Sequence, residues 1–266
     1  MTNRDLLIYL SLIHDGSYRK IVDAIRTNAE YDPETVEKEV RALKCKTVTY
    51  MDDDYPACFN TAICPPLVLY YYGNLELLQD IGRTVTIVGA RDASEHALNE
   101  TRRLSKELAE DGYVIISGLA QGIDTSAHEG AVKYGKTVAI LGNGLNRFYP
   151  YKNKDLQNEI RRSGLVITEY PPDVPPNQRN FPARNRLIAA AGNATLAMEA
   201  AIQSGTAITV SFALHYGRSV GCLPGRPNEN PLGNTLIKEG AALIESKEDV
   251  IALLNPYLRE ALSQTM

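Results

Sequence analysis

The stretch TVTIVGARDAS (84–94) decides the fold. Its first five residues are an unbroken apolar and β-branched run, the pattern of a strand covered on both faces rather than one. Gly89 and Ala90 end the run with small residues, and Ser94 is of the type that caps a helix; the segment 94–110 behind it reads as that helix. The same succession recurs down the chain. Strand-like runs stand at 113–117 (YVIIS), 137–141 (TVAIL), 165–168 (LVIT), 194–199 (ATLAME) and 207–210 (AITV), with helical segments such as 123–134 between most of them. Further strands are expected at 219–223 and 241–244, and a last helix at 246–254. Apolar strands alternating with helices specify α/β architecture: an extended Rossmann-like, mostly parallel sheet with helices on both faces, over residues 81–255.

Upstream the pattern changes. Leu6, Leu7, Leu10 and Ile13 form one helical stripe, and Ile21, Val22 and Ile25 a second. Asp32-Pro33-Glu34 starts a third, since Asp is a good N-cap and Pro suits the first turn; Val36, Val40 and Leu43 follow at helical spacing. Three short stripes predict a small all-helical domain at 1–45. Two β-prone runs, 47–51 and 67–72, are separated by prolines and the acidic turn Asp52-Asp53-Asp54, so 46–80 reads as a connecting extension docked on the main domain.

A hydrophobic share of 44% in 266 residues suits a globular protein with a core. No apolar run approaches the roughly 18–20 residues of a membrane span, and the first residues lack a signal peptide. The expectation is a cytoplasmic protein with no membrane association. Cys45, Cys58, Cys64 and Cys222 include no C-x-x-C pair and only four histidines accompany them, so neither a metal site nor a disulfide is expected. The net charge of −4 alone speaks against nucleic acid, but the charge is uneven. Residues 28–59 carry eight acidic and four basic side chains, whereas 143–186 carry eight basic and four acidic, a local surface able to neutralise phosphates.

Ligands bind open α/β sheets at the carboxyl ends of strands, where loops and helix N-termini converge. Arg91 after the first run offers a phosphate fork, or is a plain surface arginine. SGLAQGID (117–124) has G-x-x-x-G spacing, without the G-x-G-x-x-G of a dinucleotide turn or the ending of a P-loop, so no nucleotide cofactor is expected. Asp124 and His128, four apart, make an acid–base pair or only a local cap. GNGLNRFYPYKN (142–153) interleaves glycines, basic residues and aromatics, which suits single strands: rings stack on bases while cations hold phosphates. Arg184 and Arg186 lie at the start of a helix, where the dipole mildly disfavours cations and an anionic partner would compensate. Glu199, at another strand end, is catalytic, binds a base or ribose, or pins a loop; no second carboxylate, Ser-His-Asp set or G-x-S-x-G elbow completes a reaction.

Taken in order, these pieces resemble the DNA-processing protein A (DprA/Smf) family. The resemblance rests on Asp54-Tyr55-Pro56, Pro65-Pro66-Leu67, Tyr72-Gly73-Asn74-Leu75, IVGAR (87–91), SGLAQGIDTSAHEGA (117–131) and Gly135-Lys136-Thr137-Val138-Ala139. It continues through GLNRFYP (144–150), Glu169-Tyr170-Pro171-Pro172, FPARNRLIA (181–189), Glu199-Ala200 with Ser204-Gly205, Leu223-Pro224-Gly225 and Leu236 to Ala241. It implies a non-catalytic homodimer that binds single-stranded DNA, protects incoming strands and loads the RecA recombinase during natural transformation or homologous recombination. The DNA-contacting set expected is Arg91, Ser94, Gly118, Gly122, Asn143, Phe148, Tyr149, Lys152, Arg184 and Arg186. Tyr151 stands where the family commonly has a basic residue, and Lys152 is taken as its substitute. Leu214, Lys238 and Leu243 are expected on the dimer or RecA surface, and no C-terminal winged helix is expected. Two other readings compete. A nucleoside-monophosphate phosphoribohydrolase would need the G-G-x-G-T-x-x-E element, of which 191–199 keeps too few glycines. A pure interaction module would act through the N-terminal helices.

Overall fold

A computed structural model describes residues 1–226 and 228–255. Among these residues nine strands form one sheet: β1 Lys46–Thr49, β2 Val68–Gly73, β3 Thr84–Val88, β4 Val114–Ser117, β5 Thr137–Ile140, β6 Leu165–Thr168, β7 Ala194–Ala197, β8 Ser219–Cys222 and β9 Ala242–Leu243. Their order is β1-β2-β6-β5-β4-β3-β7-β8-β9. From β6 to β9 every neighbouring pair is parallel, as the unbroken apolar runs demand. The expected Rossmann-like sheet is therefore present. Residues 46–80, expected as a connecting extension, contribute two strands to it: β2 pairs antiparallel with β6 (Tyr70 opposite Thr168) and β1 antiparallel with β2.

Among the described residues ten α-helices accompany the sheet: α1 Asn3–Ile13, α2 Tyr18–Arg26, α3 Pro33–Arg41, α4 Glu95–Glu110, α5 Ile123–Ala131, α6 Lys154–Ser163, α7 Asn180–Ala191, α8 Gly205–His215, α9 Pro231–Lys238 and α10 Lys247–Leu254. Strand alternation sorts the core into two layers. Val85, Ile87, Ile115 and Leu196 face α4, α5 and α10. On the same side, Val68, Tyr70, Ala139 and Val166 share a core with Ile160 of α6 and with Leu7, Ile8, Leu10 and Ile21 of α1 and α2. The opposite face carries α7, with Leu187 and Ile188 on Val88, Ile116, Val138 and Ile140, and α8 on β7 and β8. Leu104 and Leu108 of α4 are completely buried, each worth about 1.5–3 kcal/mol relative to exposure.

The strand expected at 207–210 is instead the middle of α8. Ala-Ile-Thr-Val favours extended backbone locally, but Ser204 caps the segment by accepting from the Ala207 amide. Thr206, Thr209, Val210 and Ala213 then bury one helical face, and that burial outweighs β propensity.

Within the parallel part, β4 follows β3 on one side while β7 lies on its other side. The carboxyl ends of β3 and β7 thus form the switch point at which open α/β sheets bind ligands.

Candidate nucleic-acid interface

The switch point is closed by the protein's own carboxylate. Glu199 follows β7, and its carboxylate accepts from the Ser94 amide (3.0 Å) and the Ser94 hydroxyl (2.6 Å). Its backbone carbonyl accepts from the Ala90 amide at 2.7 Å. Ser94 in turn caps α4 by accepting from Ala97 N at 3.2 Å. Glu199 therefore sits at the N-terminus of α4, where an external anion would otherwise dock. Of the three roles left open for Glu199, the geometry is that of pinning the loop. The pinned loop presents Arg91, which is exposed.

The neighbouring turn, 118–122, is held in the same manner. The Asp124 carboxylate accepts from Gly118 N (3.1 Å) and Ala120 N (3.2 Å). Gly122 has φ +80°, and a Cβ there would strike the backbone of Ala90 and Arg91. With Ile123 N donating to Ala90 O at 3.2 Å, this glycine lets the 118–122 turn lie directly against the loop carrying Arg91. Arg184 of α7 reaches beneath, donating to the carbonyls of Gly118 (3.0 Å) and Ile140. It is 5% exposed, and burial pushes its guanidinium down to about 10. Burial holds the Asp124 carboxyl above the ordinary range, with the Arg184 charge opposing.

Asp124 and His128 do not pair. His128 Nδ1 lies 2.7 Å from the Thr137 hydroxyl, which itself donates to Ile115 O. Nδ1 therefore carries the proton, while Nε2 is buried without a partner among the described residues. Burial, then the Arg184 charge, pushes this imidazole down to about 3. Arg186 is likewise internal: it grips Glu169 bidentately (2.6 Å to each oxygen) and donates to Ile63 O and Cys64 O. This ties the end of β6 to the segment before β2.

The loop after β5 is the open part. Asn143, 2% exposed, staples it by donating to the carbonyls of Gly144 and Arg147. Phe148 is half-buried, with Lys154 and Arg161 at 5.6 and 5.3 Å from its ring centre. Tyr149 is 44% exposed and stacks on Phe181 of α7, with ring centres 5.1 Å apart and planes at 27°. Tyr151 and Lys152 are exposed beside it, and Lys154 lies 5.6 Å from the Tyr151 ring centre. Arg179 is exposed just before α7. None of the ion pairs among the described residues involves Arg91, Lys152 or Arg179.

Of the site residues expected from sequence, Arg91, Tyr149 and Lys152 thus present free chemistry at the strand ends. Ser94, Asn143, Arg184 and Arg186 spend their polar groups inward, and Gly118 and Gly122 shape the turn. Arg179, exposed, and Phe181, half-buried under Tyr149, belong with Arg91, Tyr149 and Lys152 and lie outside the expected set. Phe181 is visible in the sequence only as part of FPARNR; its partner Tyr149 is 32 residues away and found by tertiary packing. Leu214 (56% exposed) lies on α8, Leu243 (44%) on β9 and Lys238 at the end of α9, all at the opposite end of the sheet from β1. Among the described residues no cluster of His, Cys, Asp and Glu is arranged to hold a metal ion, and no helix is long and apolar enough to cross a membrane.

Residues 46–255 match the family model for DNA recombination-mediator protein A. The protein Smf of Synechocystis is 40% identical over 208 residues, covering 76% of this chain and 52% of that protein. The DNA processing protein DprA of Streptococcus pneumoniae is 40% identical over 212 residues, covering 79% of this chain and 74% of that one. The chain thus spans about half the length of the Synechocystis relative. The X-ray structure of DNA processing protein A from Streptococcus pneumoniae aligns with TM-score 0.78 at 34% identity, over 94% of this chain and 93% of that one. A Helicobacter pylori DNA processing protein A structure, described for its unique single-stranded DNA binding mode, aligns with TM-score 0.72 at 31% identity, over 82% and 98%.

Proposed function

The chain belongs to the DNA recombination-mediator protein A family, and from that premise we propose that it holds single-stranded DNA across the carboxyl edge of its sheet and hands it to a recombinase. The observation that carries this reading is the exposed Tyr149, stacked on the half-buried Phe181, with the unpaired cations Arg91, Lys152 and Arg179 at the same strand ends. Stacked rings accept any base face and cations take phosphates, so sequence preference is slight. Arg91 and Lys152 hold phosphates, with the 118–122 turn beside them. Tyr149, with Phe148 behind it, meets bases. Ser94, Asn143, Arg184 and Arg186 serve the interface from within, by fixing the loops that present it. The function is binding without catalysis: Glu199 and Asp124 are committed to the chain's own amides and Glu169 to Arg186.

The recombinase in this reading is RecA, and the process natural transformation or homologous recombination. The chain works as a homodimer, with Leu214, Lys238 and Leu243 on the dimer or RecA surface; their position away from the aromatic loop leaves the DNA edge open. Fluorescence anisotropy with labelled oligothymidine across a salt series tests the DNA reading. Three or four neutralised phosphates give a log–log slope of about −2 to −3, and Arg91→Ala loses most of the affinity. A folded wild-type protein that does not bind at low salt overturns it.

A further inference from the structure

The β6–α7 loop runs beneath the turn joining α1 to α2. Gly16 in that turn has φ +73°, and a Cβ there would lie 2.5 Å from Glu169 O, so the two backbones meet directly. Beside this meeting point opens a cavity of about 660 Å³, within the range of small-ligand sites. One wall is His14, Ser17, Tyr18 and Lys20 from the N-terminal helices; the other includes Arg179 and Asn180. The Glu169–Arg186 ion pair also lines it, already self-neutralised.

Several groups here are chemically unspent. Ser17 is the N-cap of α2 but makes no side-chain cap bond. The Nε2 of His14 is buried with no partner among the described residues. Neither Lys20 nor Arg179 takes part in any ion pair among those residues; Asp15 is the one other carboxylate on the lining. Asn180 on the cavity wall immediately precedes Phe181, so the cavity and the aromatic stack share the first turn of α7.

We propose that this cavity is a second nucleotide site on the same strand. A phosphodiester lies between Lys20 and Arg179, and its base sits in the cavity within reach of His14, Ser17 and Asn180. The inference rests on the single-strand reading above and adds to it that the N-terminal helices form part of the DNA path. Charge complementarity fixes the occupant: a cation on each wall suits a phosphodiester, and Asn180 on the wall directly precedes Phe181 of the stacking platform along α7.

The test uses the full chain, with Lys20→Glu and Arg179→Glu made separately and together. Binding is read by anisotropy on a short oligothymidine of about 5 nucleotides and a long one of about 20, bracketing one module's site size. On the long strand each variant is expected to weaken binding about 3- to 10-fold and to flatten the salt slope by about 0.7 for each phosphate no longer neutralised. On the short strand, held at the Arg91 end, Lys20→Glu is expected to bind as wild type. Photo-crosslinking of 4-thiothymidine in the long strand is expected to mark the peptide containing residues 14–20. Wild-type affinity of Lys20→Glu on the long strand, or no crosslink in that peptide, overturns the proposal while leaving the wider reading intact. Absence of binding by the wild-type protein overturns both.

Discussion

At the scale of single residues, two arginines of similar appearance in sequence do opposite work. Arg184 is buried with its donors on the carbonyls of Gly118 and Ile140, close to the buried Asp124; Arg91 is exposed and unpaired. Removing one partner from a buried charged cluster strands the remainder, so Arg184→Ala is expected to cost about 3–5 kcal/mol in chemical denaturation. Arg91→Ala should leave the denaturation midpoint within about 0.5 kcal/mol of wild type while losing DNA affinity. Equal stabilities for the two variants would refute the division. His128 gives a pH signature. With a folded value of about 3 against an ordinary 6.5, the unfolded chain binds a proton between those limits and the folded one does not. Stability is therefore full above 6.5 and falls as pH drops, by about 1.4 kcal/mol per unit from this group, or about 2 kcal/mol at pH 5. Asp124, raised by burial, contributes with the opposite sign. The difference between urea titrations of wild type and His128→Phe, at pH 7 and pH 5, isolates the histidine; a pH-independent difference would contradict its burial in the neutral form.

At the scale of elements, legibility tracked how local the controlling interaction is. The strands β3 to β6 stand in the sequence as runs buried on both faces, and Ser94 as a cap, because each is decided within a few residues. Residues 207–210 misled because their helical state depends on burial against β7, β8 and α7, which the local propensity of Ile208, Thr209 and Val210 does not encode. The candidate interface is half-legible for the same reason. The aromatic and basic spacing of the β5 loop could be read, but Asn143, Arg184 and Arg186 look like binding groups until their internal acceptors are known. The platform itself joins two elements, the β5 loop and α7. Base–aromatic stacking is worth about 1–3 kcal/mol per base, so Tyr149→Ala is expected to weaken oligothymidine binding by about 5- to 150-fold. Tyr149→Phe should retain most of it, since the ring and not the hydroxyl acts. If Tyr149→Phe loses as much as Tyr149→Ala in the same titration, stacking is not the interaction.

At the scale of the whole molecule, the chain's first 80 residues are built into the sheet domain more deeply than their composition suggests. Sequence divides them into a helical unit at 1–45 and an extension at 46–80, because nothing local marks β2 as the neighbour of β6, nearly 100 residues later. Once β2 is in the sheet, Val68 and Tyr70 point to the face on which Leu7, Ile8, Leu10 and Ile21 lie, and Val166 of β6 joins them. Val68, Tyr70 and Val166 are at most 2% exposed with the helices in place. Uncovering side chains of this size costs about 1.5–3 kcal/mol each, and several such losses are comparable with the roughly 5–15 kcal/mol that separates folded from unfolded domains. Arg4 adds a tie from α1 to the sheet edge, donating to Asp52 and to Thr47 O of β1. Removal of residues 1–45 is therefore expected to lower the thermal midpoint of the remaining sheet domain by more than about 10 °C, or to leave it aggregated, as circular dichroism and sedimentation would reveal. A truncated chain that melts within a few degrees of the full protein would mean that the helices ride on the sheet without supporting it. Loss of DNA binding by such a well-folded truncation would then locate the helices' contribution in the DNA path alone.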